Sequence, residues 1–402
     1  MSGKLVVIGG GFAGVWAALG AAHEAIEHEA ALDIVLVSAD ERMTIRPRLY
    51  EAHPETLRVP LAPTLEPMGV TLRTGRVTTI DPARKRVSLT DGAGNPAEVA
   101  YDGLVLAAGS ALRRDVVPGL DRFGFDVDTI DGALRFDRHL AGLVKPNGSA
   151  APATFVVLGA GFTGLELATE MRRRIAIHHG EAAAEAARVL LVDSAESVSG
   201  GLGEKPRQPI EAALEEARVE KHAGETVLSV AGDHVLLSGA GRIDTHTVIS
   251  TLGLAASPLT GCFEAARDDL GRLLVDENLA VPGTEGVYAA GDVAHALADE
   301  SHAALMSCQH AMPMGKLAGY NAARHLISLS PRAYSQSRYV TCLDLGPAGA
   351  LFTNGWDRDV VMTGGEAKAL KRKIVEDWIV PPRGDRDFLV EVSAIDYLAS
   401  RS

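Results

Sequence analysis

Two stretches of the chain share one pattern of apolar and glycine positions. Residues 4–8 form a short apolar run that predicts a buried strand, and an Ala-rich stretch beginning at about Phe12 predicts a helix to Ala22. Residues 154–164 repeat the pattern. Between each strand and its helix the glycines have GxGxxG spacing, which is typical of a turn that holds a dinucleotide pyrophosphate at a helix N-terminus. These glycines are Gly9, Gly11 and Gly14 in the first copy and Gly159, Gly161 and Gly164 in the second.

The similarity between the two copies continues downstream of the turns. Gly75 and Gly224 each open runs of alternating polar and apolar residues, and Gly109 and Gly253 each end a further apolar run, at a nearly constant offset. We interpret this as two copies of one unit: strand, glycine turn, helix, strand, β-meander and closing strand. The predicted fold class is α/β, with two Rossmann-like dinucleotide-binding domains and a small C-terminal α+β region.

The second strand of each unit ends differently. The strand over 188–193 ends in Asp193, and a carboxylate there binds a ribose diol and repels a 2′-phosphate, which favours NADH over NADPH. The strand over 33–37 ends at Ser38, with Asp40 just beyond it. Either Asp40 reaches back to the ribose or the ribose is held otherwise.

Other candidate binding residues follow strands. Arg46 and Arg48 lie in a loop over 42–52, where each arginine contacts either cofactor phosphate or substrate, or is an ordinary surface charge. Asp292 follows an apolar strand and precedes a stretch over 302–327 that predicts a helix broken or kinked near Pro313. A carboxylate in that position can bind a ribityl hydroxyl.

The remaining patterns between the units predict connecting elements. Residues 131–144 have helical spacing with Asp131 as the candidate N-cap, and 145–152 predict a linker.

Composition excludes several classes of protein. The chain has 402 residues, a formal net charge of −13 and 47% hydrophobic residues, which is ordinary for a globular protein and argues against a nucleic-acid partner. Its three cysteines form no CxxC pair, so a reducing compartment is expected. The apolar N-terminal stretch competes as a signal peptide or membrane span, but its glycines favour the strand and turn.

Taken as a set, these motifs resemble the flavoproteins with two dinucleotide-binding domains, and among them the type II NADH dehydrogenases and their NADH:quinone oxidoreductase relatives. The motifs are GGGFAG (9–14), YDGLVLAAGS (101–110), GAGFTGLELATE (159–170), the closing strand over 248–253 and GVYAAGDVA (286–294). The resemblance implies FAD on the first unit and NADH on the second. It also implies that Glu166 lies beside the nicotinamide and flavin, and that Asp292 binds FAD.

The resemblance extends the candidate site beyond the glycines. It divides the chain into an FAD-binding domain (1–117 and 281–330), an NAD(H)-binding domain (118–280) and a C-terminal interface or membrane-contact region (331–402). The catalytic candidates are Glu166, Gln309 and His310. The cofactor-binding candidates are Gly9, Gly11, Phe12, Ala13, Gly14, Ser38, Arg46, Arg48, Ala108, Gly109, Gly159, Gly161, Phe162, Thr163, Gly164, Asp193, Gly253, Gly291 and Asp292. No metal site is predicted.

Residues 307–311 depart from the resembled family. The family has an Ala-Gln pair lining its quinone pocket, and here only Gln309 carries over. His310 suits proton delivery, or is a hydrogen-bonded histidine at a helix start. Residues 12–60 lack the cysteine pair of disulfide reductases, and the pair of sulfide:quinone oxidoreductases is not evident unless Cys342 folds back towards Cys308.

The tail predicts strands over 339–345 and 350–353 and a helix over 366–380. Leu370, Ile374 and Trp378 share one face of this helix, with Lys368 and Lys371 among the lysines and arginines around it. Such a helix can lie on an anionic membrane surface, or pack on the FAD domain or on a second subunit. The expected location is cytoplasmic, and the sequence leaves open both peripheral contact at the inner face of the membrane and a homodimer.

The predicted reaction moves two electrons from NADH through FAD to a quinone by a ping-pong mechanism. One alternative is a flavin reductase that acts on a small organic molecule, oxygen or a protein. Another is a redox-sensing interaction protein that resembles the apoptosis-inducing-factor-like flavoproteins.

Overall fold

The computed structural model describes residues 3–143, 153–198 and 200–397, so the linker predicted over 145–152 lies outside the described residues. Within these ranges the α-helices are α1 (Phe12–Glu27), α2 (Ala62–Leu65), α3 (Leu120–Phe123), α4 (Ile130–Ala141), α5 (Phe162–His179), α6 (Glu181–Ala186), α7 (Arg207–Glu216), α8 (Cys308–Leu326), α9 (Gly364–Lys373) and α10 (Arg386–Ser393).

The strands fall into three groups along the chain. The first group is β1 (Gly3–Ile8), β2 (Leu32–Ser38), β3 (Arg42–Thr44), β4 (Arg58–Pro60), β5 (Thr71–Asp81), β6 (Arg86–Asp91), β7 (Pro96–Ala100), β8 (Gly103–Leu106) and β9 (Ser110–Leu112). The second is β10 (Phe125–Asp126), β11 (Thr154–Leu158), β12 (Arg188–Asp193), β13 (Val219–Ala223), β14 (Val227–Val230), β15 (His234–Leu237), β16 (Gly241–Asp244), β17 (Thr247–Ser250) and β18 (Leu254–Ala256). The third is β19 (Leu273–Leu274), β20 (Val287–Ala289), β21 (Ala294–His295), β22 (Val340–Asp344), β23 (Ala350–Asn354) and β24 (Asp359–Thr363).

The first sheet has the strand order β20-β8-β1-β2-β5-β6-β7. β1 pairs in parallel with both β2 and β8, and its residues from Leu5 to Ile8 are buried, which explains their uninterrupted apolar run. β20 pairs in parallel with β8, so the chain returns to the first sheet after the second unit, as the predicted discontinuous domain requires. The domain boundaries themselves stay predictions.

The second sheet repeats the first with one difference. Its order is β10-β17-β11-β12-β13, and a separate antiparallel meander is formed by β14, β15 and β16. In the first copy the single long strand β5 runs from the parallel sheet into the meander. In the second copy Gly224, at φ +69°, divides the corresponding segment into β13 and β14. The predicted α/β class with two Rossmann-like units is confirmed.

Helices α1 and α8 pack closely because glycines line their contact. A Cβ on Gly319 would lie 1.8 Å from the carbonyl oxygen of Ala17, and one on Gly315 would lie 2.1 Å from that of Ala13. This contact fixes the N-terminus of α8 beside the first glycine turn.

Helix α8 differs from its prediction in two respects. It begins at Cys308 rather than near residue 302, because the Ser307 side chain caps it by accepting from the His310 backbone N–H. It also continues through Pro313 without a break. Proline leaves the carbonyl four residues earlier without its helical donor, and here that oxygen, on Gln309, accepts from Gln336 Nε2 at 3.1 Å.

The predicted cap of α4 is wrong by two residues. Thr129, not Asp131, is the N-cap, and its side chain accepts from the Gly132 backbone N–H. Asp131 lies in the first turn, where its charge favours the helix dipole.

The C-terminal region contains a small antiparallel sheet, β22-β23-β24, covered by α9. The two predicted tail strands are confirmed as β22 and β23. The predicted helix is α9, which continues into a π-helical turn over Ile374–Trp378. No helix in the described ranges is both long and apolar enough to cross a membrane.

Candidate active site

The first glycine turn is closely packed on one side and open on the other. Gly9 has φ +116°, a conformation that favours glycine. A Cβ on Gly14 would lie 1.7 Å from the Gly9 carbonyl oxygen, whereas a Cβ on Gly11 would have nothing within 4 Å. Phe12 and Ala13 are the first residues of helix α1, and no side chain caps this end. The first N–H groups of the helix are therefore free to bind an anion.

The second glycine turn has the same geometry. Gly159 has φ +96°, a Cβ on Gly164 would lie 1.8 Å from the Gly159 carbonyl oxygen, and the space above Gly161 is open. Helix α5 begins at Phe162 and Thr163, again without a side-chain cap. The residues present therefore fit a dinucleotide at each turn, since a pyrophosphate needs this open backbone.

Asp193 lies directly beside the second turn. Its Oδ2 accepts from the Ala160 backbone N–H at 2.6 Å, and its Oδ1 accepts from the Ala195 N–H at 2.8 Å. The carboxylate is thus held at the end of β12, the position in which the sequence predicts a carboxylate that binds a ribose diol. Sequence reasoning missed Thr251, whose hydroxyl donates to the carbonyls of Leu158 and Gly159. Gly253, at φ +52°, follows two residues later.

The end of β2 explains why no carboxylate stands at Ser38. A Cβ on Gly10 would lie 2.2 Å from the Ser38 hydroxyl oxygen, so these two residues are in close contact. Asp40 does not reach back: it forms an ion pair with Arg58 and accepts from the Arg42 backbone N–H at 2.9 Å. Of the two alternatives that the sequence left open, the structure favours a ribose held by other groups.

Arg46 and Asp292 meet beside Gly109. Arg46 Nη1 lies 3.6 Å from Asp292 Oδ2, and Arg46 Nη2 forms an ion pair with Asp128. Ser110 donates its hydroxyl to Asp292 Oδ2 at 2.6 Å. Ser110 and Asp128 were missed from the sequence because nothing local marks them. Ala108 precedes this cluster on the chain, and Gly291, at φ +72°, opens the turn that carries Asp292.

Three side chains form hydrogen bonds with backbone groups along the outer edge of β22, the edge that is not paired with β23. Gln309, in the orientation that satisfies its amide, donates to the Val340 carbonyl at 2.7 Å and accepts from the Val340 N–H at 3.1 Å. Lys371 Nζ donates to the Cys342 carbonyl at 2.9 Å, and the Asp344 N–H donates to Glu166 Oε1 at 3.0 Å. The backbone N–H and C=O groups of alternate strand residues point to the same edge of the strand. β22 therefore brings together side chains from α8, α9 and α5.

Glu166 and Lys371 also bind each other, with Lys371 Nζ 2.8 Å from Glu166 Oε1. Burial raises the pKa of Glu166, and Lys371 only partly offsets that effect. Glu166 Oε2 makes no hydrogen bond among the described residues. Lys371 and Lys368 do not form a solvated basic surface on α9, because Lys371 is buried and Lys368 pairs with Asp344.

Asp344 connects this edge to the first unit. Its carboxylate accepts from the Tyr50 hydroxyl at 2.9 Å and from Lys368. Tyr50, Glu166 and Asp344 come from three different parts of the chain, so sequence spacing gives no indication of this cluster.

His310 is fully buried beside Tyr339 and Trp356. Its Nδ1 lies 3.0 Å from the Ser307 hydroxyl, and burial lowers its pKa to about 4, so it is neutral at physiological pH. This environment resembles the hydrogen-bonded histidine at a helix start more than a proton donor. The catalytic role of His310 stays a prediction, as does that of Gln309.

The cysteines near the site are free thiols. Burial raises the pKa of Cys308 and of Cys342 to about 11, so both are protonated at neutral pH. Thiolate is the reactive form, and neither environment favours it.

A cavity of about 530 Å³ adjoins the cluster around Arg46. Ile45 and Arg48 line it from the same loop, and Met312 lines it from the second turn of α8. Arg48 lines the cavity and pairs with Glu51, and among the described residues it makes no hydrogen bond to the glycine turn. The other lining residues are mostly apolar, with five charged or hydroxyl side chains among them: Trp16, Thr56, Leu57, Val59, Glu376, Asp377, Trp378, Val380, Pro381, Pro382, Arg383, Phe388, Val392 and Tyr397.

Comparison with known proteins agrees with this architecture. An NADH dehydrogenase-like protein of Mycobacterium tuberculosis is 43% identical over 395 residues, which is 97% of this chain and 98% of that protein. A type II NADH:quinone oxidoreductase of the same organism is 29% identical and covers 72% of this chain and 67% of its own length.

Among solved structures, NDH2 of Plasmodium falciparum in complex with NADH superposes with a TM-score of 0.76 and 15% identity, covering 98% of both chains. The sulfide:quinone oxidoreductase of Aquifex aeolicus gives 0.76 and 17%, covering 98% of this chain and 93% of its own. These two share the fold.

Residues 3–315 match the pyridine nucleotide-disulphide oxidoreductase family. Together with two open glycine turns in the predicted positions, this match identifies the chain as an oxidoreductase that belongs to that family.

Proposed function

We propose that the protein is an NADH:quinone oxidoreductase that uses FAD and works by a ping-pong mechanism. The observation that carries the proposal is the position of the apolar cavity. Ile45 in the cavity wall directly precedes Arg46, and Met312 directly follows Ala311, which lies against the Gly291 turn that carries Asp292. An acceptor in the cavity would therefore lie next to a flavin in the first unit. The name of the M. tuberculosis quinone oxidoreductase supports the same acceptor.

The first unit would hold FAD. Gly11 and the N-terminus of α1 are available to the pyrophosphate, and Asp292, with Ser110, to the ribityl chain. Arg46 would balance the charge of Asp292 and limit access of water from that side. When bound, FAD supplies a ring that takes up two electrons from NADH and passes them on.

The second unit would hold NADH. Gly161 and the N-terminus of α5 are available to the pyrophosphate, and Asp193 to the adenosine ribose. The preference for NADH over NADPH rests on this carboxylate.

Glu166 would orient the nicotinamide. Its Oε1 is fixed by Lys371 and by the backbone of Asp344, so the free Oε2 has a defined direction and is available to the carboxamide of the nicotinamide. The positive charge of Lys371 would balance the negative charge of the buried Glu166 carboxylate while the cofactor enters and leaves.

The mouth of the cavity suits a lipophilic acceptor. Trp378 is 49% exposed and Phe388 is 38% exposed, and both line the cavity. Aromatic side chains of this kind favour a membrane interface. We therefore propose peripheral membrane contact at this rim, tested by sedimentation with anionic liposomes, where loss of binding in Trp378→Ala is expected and an unchanged bound fraction contradicts the contact.

Stopped-flow absorbance tests the proposed reaction. The purified protein is mixed first with NADH and then with a short-chain quinone. Bleaching of a bound-flavin band followed by rapid recovery is expected. Absence of a flavin band after reconstitution with FAD contradicts the cofactor assignment.

The second candidate is an oxidoreductase with another acceptor. It is favoured by Gln309, because the amide that carries over from the quinone-binding pair is bound to Val340 rather than free. Bleaching by NADH that only oxygen or a different acceptor reverses would support it. A stable complex with slow turnover would support the redox-sensing alternative.

A further inference from the structure

Arg48 is an ionised side chain in a mostly apolar wall. It belongs to the 3₁₀ turn Arg46–Arg48 and lines the cavity together with Trp16, Ile45 and Met312. Its side chain is only 20% exposed. Burying a guanidinium beside apolar groups costs free energy unless its donors are satisfied.

One side of the guanidinium is fully used. Nε donates to Glu51 Oε1 at 2.9 Å and Nη2 donates to Glu51 Oε2 at 2.8 Å. This two-pronged pair fixes the plane and direction of the group. Glu376 Oε1 lies 3.6 Å from the same Nη2.

The other side of the guanidinium is available. Within the described ranges Nη1 makes no hydrogen bond, whereas Nε and Nη2 are both bound to Glu51. Arg48 therefore offers an oriented donor, carrying part of a positive charge, at a cavity whose lining is mostly apolar but also includes Glu376, Asp377 and Arg383.

We infer that Arg48 binds a carbonyl oxygen of the electron acceptor and stabilises the negative charge that forms on it. This inference rests on the proposed function. Reduction of a quinone to the quinol takes two electrons and two protons. NADH supplies both electrons and one proton as a hydride equivalent, and the second proton is taken up from the solution. Arginine stays protonated throughout, so Arg48 acts as a hydrogen-bond donor and not as an acid.

The test measures binding separately from turnover. Trp16 and Trp378 line the cavity, so a quinone that enters it quenches tryptophan fluorescence. Menadione is titrated into the oxidised, flavin-loaded protein without NADH, for wild type, Arg48→Met and Arg48→Lys. The matched control is Arg372→Gln, an exposed arginine of α9 outside the cavity lining.

We expect the dissociation constant of menadione to rise by about tenfold or more in Arg48→Met, less in Arg48→Lys, and not at all in the control. The KM for quinone should rise in parallel in the Arg48 variants and stay at the wild-type value in the control.

Two outcomes overturn the inference in distinguishable ways. If wild type binds and reduces menadione and Arg48→Met does so equally well, the role of Arg48 is wrong and the proposed function stands. If wild type reduces ferricyanide with NADH but neither binds nor reduces menadione, the quinone acceptor itself is wrong and the inference fails with it.

Discussion

Lys371 Nζ lies 2.8 Å from Glu166 Oε1, and this ion pair joins the C-terminal region to the helix that follows the second glycine turn. Both side chains are buried. The Lys371 ammonium also donates to the Cys342 carbonyl, so the pair is compensated on both sides. The C-terminal region thus takes part in the site and is more than a cover for the two dinucleotide units.

Removing Lys371 should be costly because it leaves a buried carboxylate without its partner. We expect Lys371→Met to lower the free energy of unfolding by about 3–5 kcal/mol, measured by urea denaturation. The double variant Lys371→Met, Glu166→Leu should recover most of that loss, since no charge is left unpaired. Equal losses in the single and double variants would contradict the coupling.

Glu166→Gln tests the chemical role of the same carboxylate. Glutamine keeps an oxygen acceptor for the Asp344 N–H and for Lys371, so the flavin should stay bound while the loss of the ion pair lowers stability and turnover with NADH slows by about a hundredfold. Glu170→Gln is the matched control, because Glu170 lies one helical turn further on, is equally buried and pairs with Arg173 instead. Unchanged kinetics in Glu166→Gln would remove Glu166 from the mechanism.

The two glycines of the second turn should separate stability from binding. A Cβ at position 164 meets the Gly159 carbonyl, so Gly164→Ala should lower Tm by about 4 °C or more. At position 161 nothing lies within 4 Å, so Gly161→Ala should leave Tm unchanged and weaken NADH binding, because the methyl group occupies the approach of the pyrophosphate. Calorimetry and NADH titration distinguish the two. Equal Tm values in the two variants would be inconsistent with this packing.

Asp193 should control the choice between NADH and NADPH. Asp193→Asn keeps an acceptor for the Ala160 N–H but removes the charge that repels a 2′-phosphate. We expect the ratio of kcat/KM for NADH over NADPH to fall about tenfold. Asp40→Asn, at the end of the corresponding strand of the first unit, should leave the ratio unchanged. A ratio that does not move in Asp193→Asn would contradict the assignment.

Lys316 should make stability depend on pH. It is fully buried, and its ammonium donates to the carbonyls of Val392 and Ala394 at the end of α10. Burial lowers its pKa from 10.5 to about 7. Between those values the unfolded chain binds the proton and the folded chain does not, so stability rises with pH across that window, by about 1.4 kcal/mol per pH unit at most.

Lys316→Met provides the comparison. Urea denaturation between pH 7 and 10 should give a smaller rise in stability for the variant than for wild type. Parallel curves would mean that Lys316 binds its proton equally well in the folded and the unfolded chain over this range.

The sequence was most informative where structure is local. Both glycine turns, with Asp193 beside the second, follow from residues within one βαβ unit. The start of α8 was misplaced because the Ser307 cap outweighs the helical spacing before it, and its continuity depends on Gln336, a distant partner that no pattern indicates. The burial of Lys371 could not be predicted, because spacing along the helix does not show that a buried carboxylate lies opposite.

The side chains along β22 have a consequence for self-association. An unpaired strand edge is a template for another chain, and here the groups of Val340, Cys342 and Asp344 that face outward are already bound to Gln309, Lys371 and Glu166. The opposite edge strand, β24, exposes Val360 and Val361. A second copy that extends this sheet must therefore add at β24, which leaves Gln309, Lys371 and Glu166 undisturbed at the opposite edge.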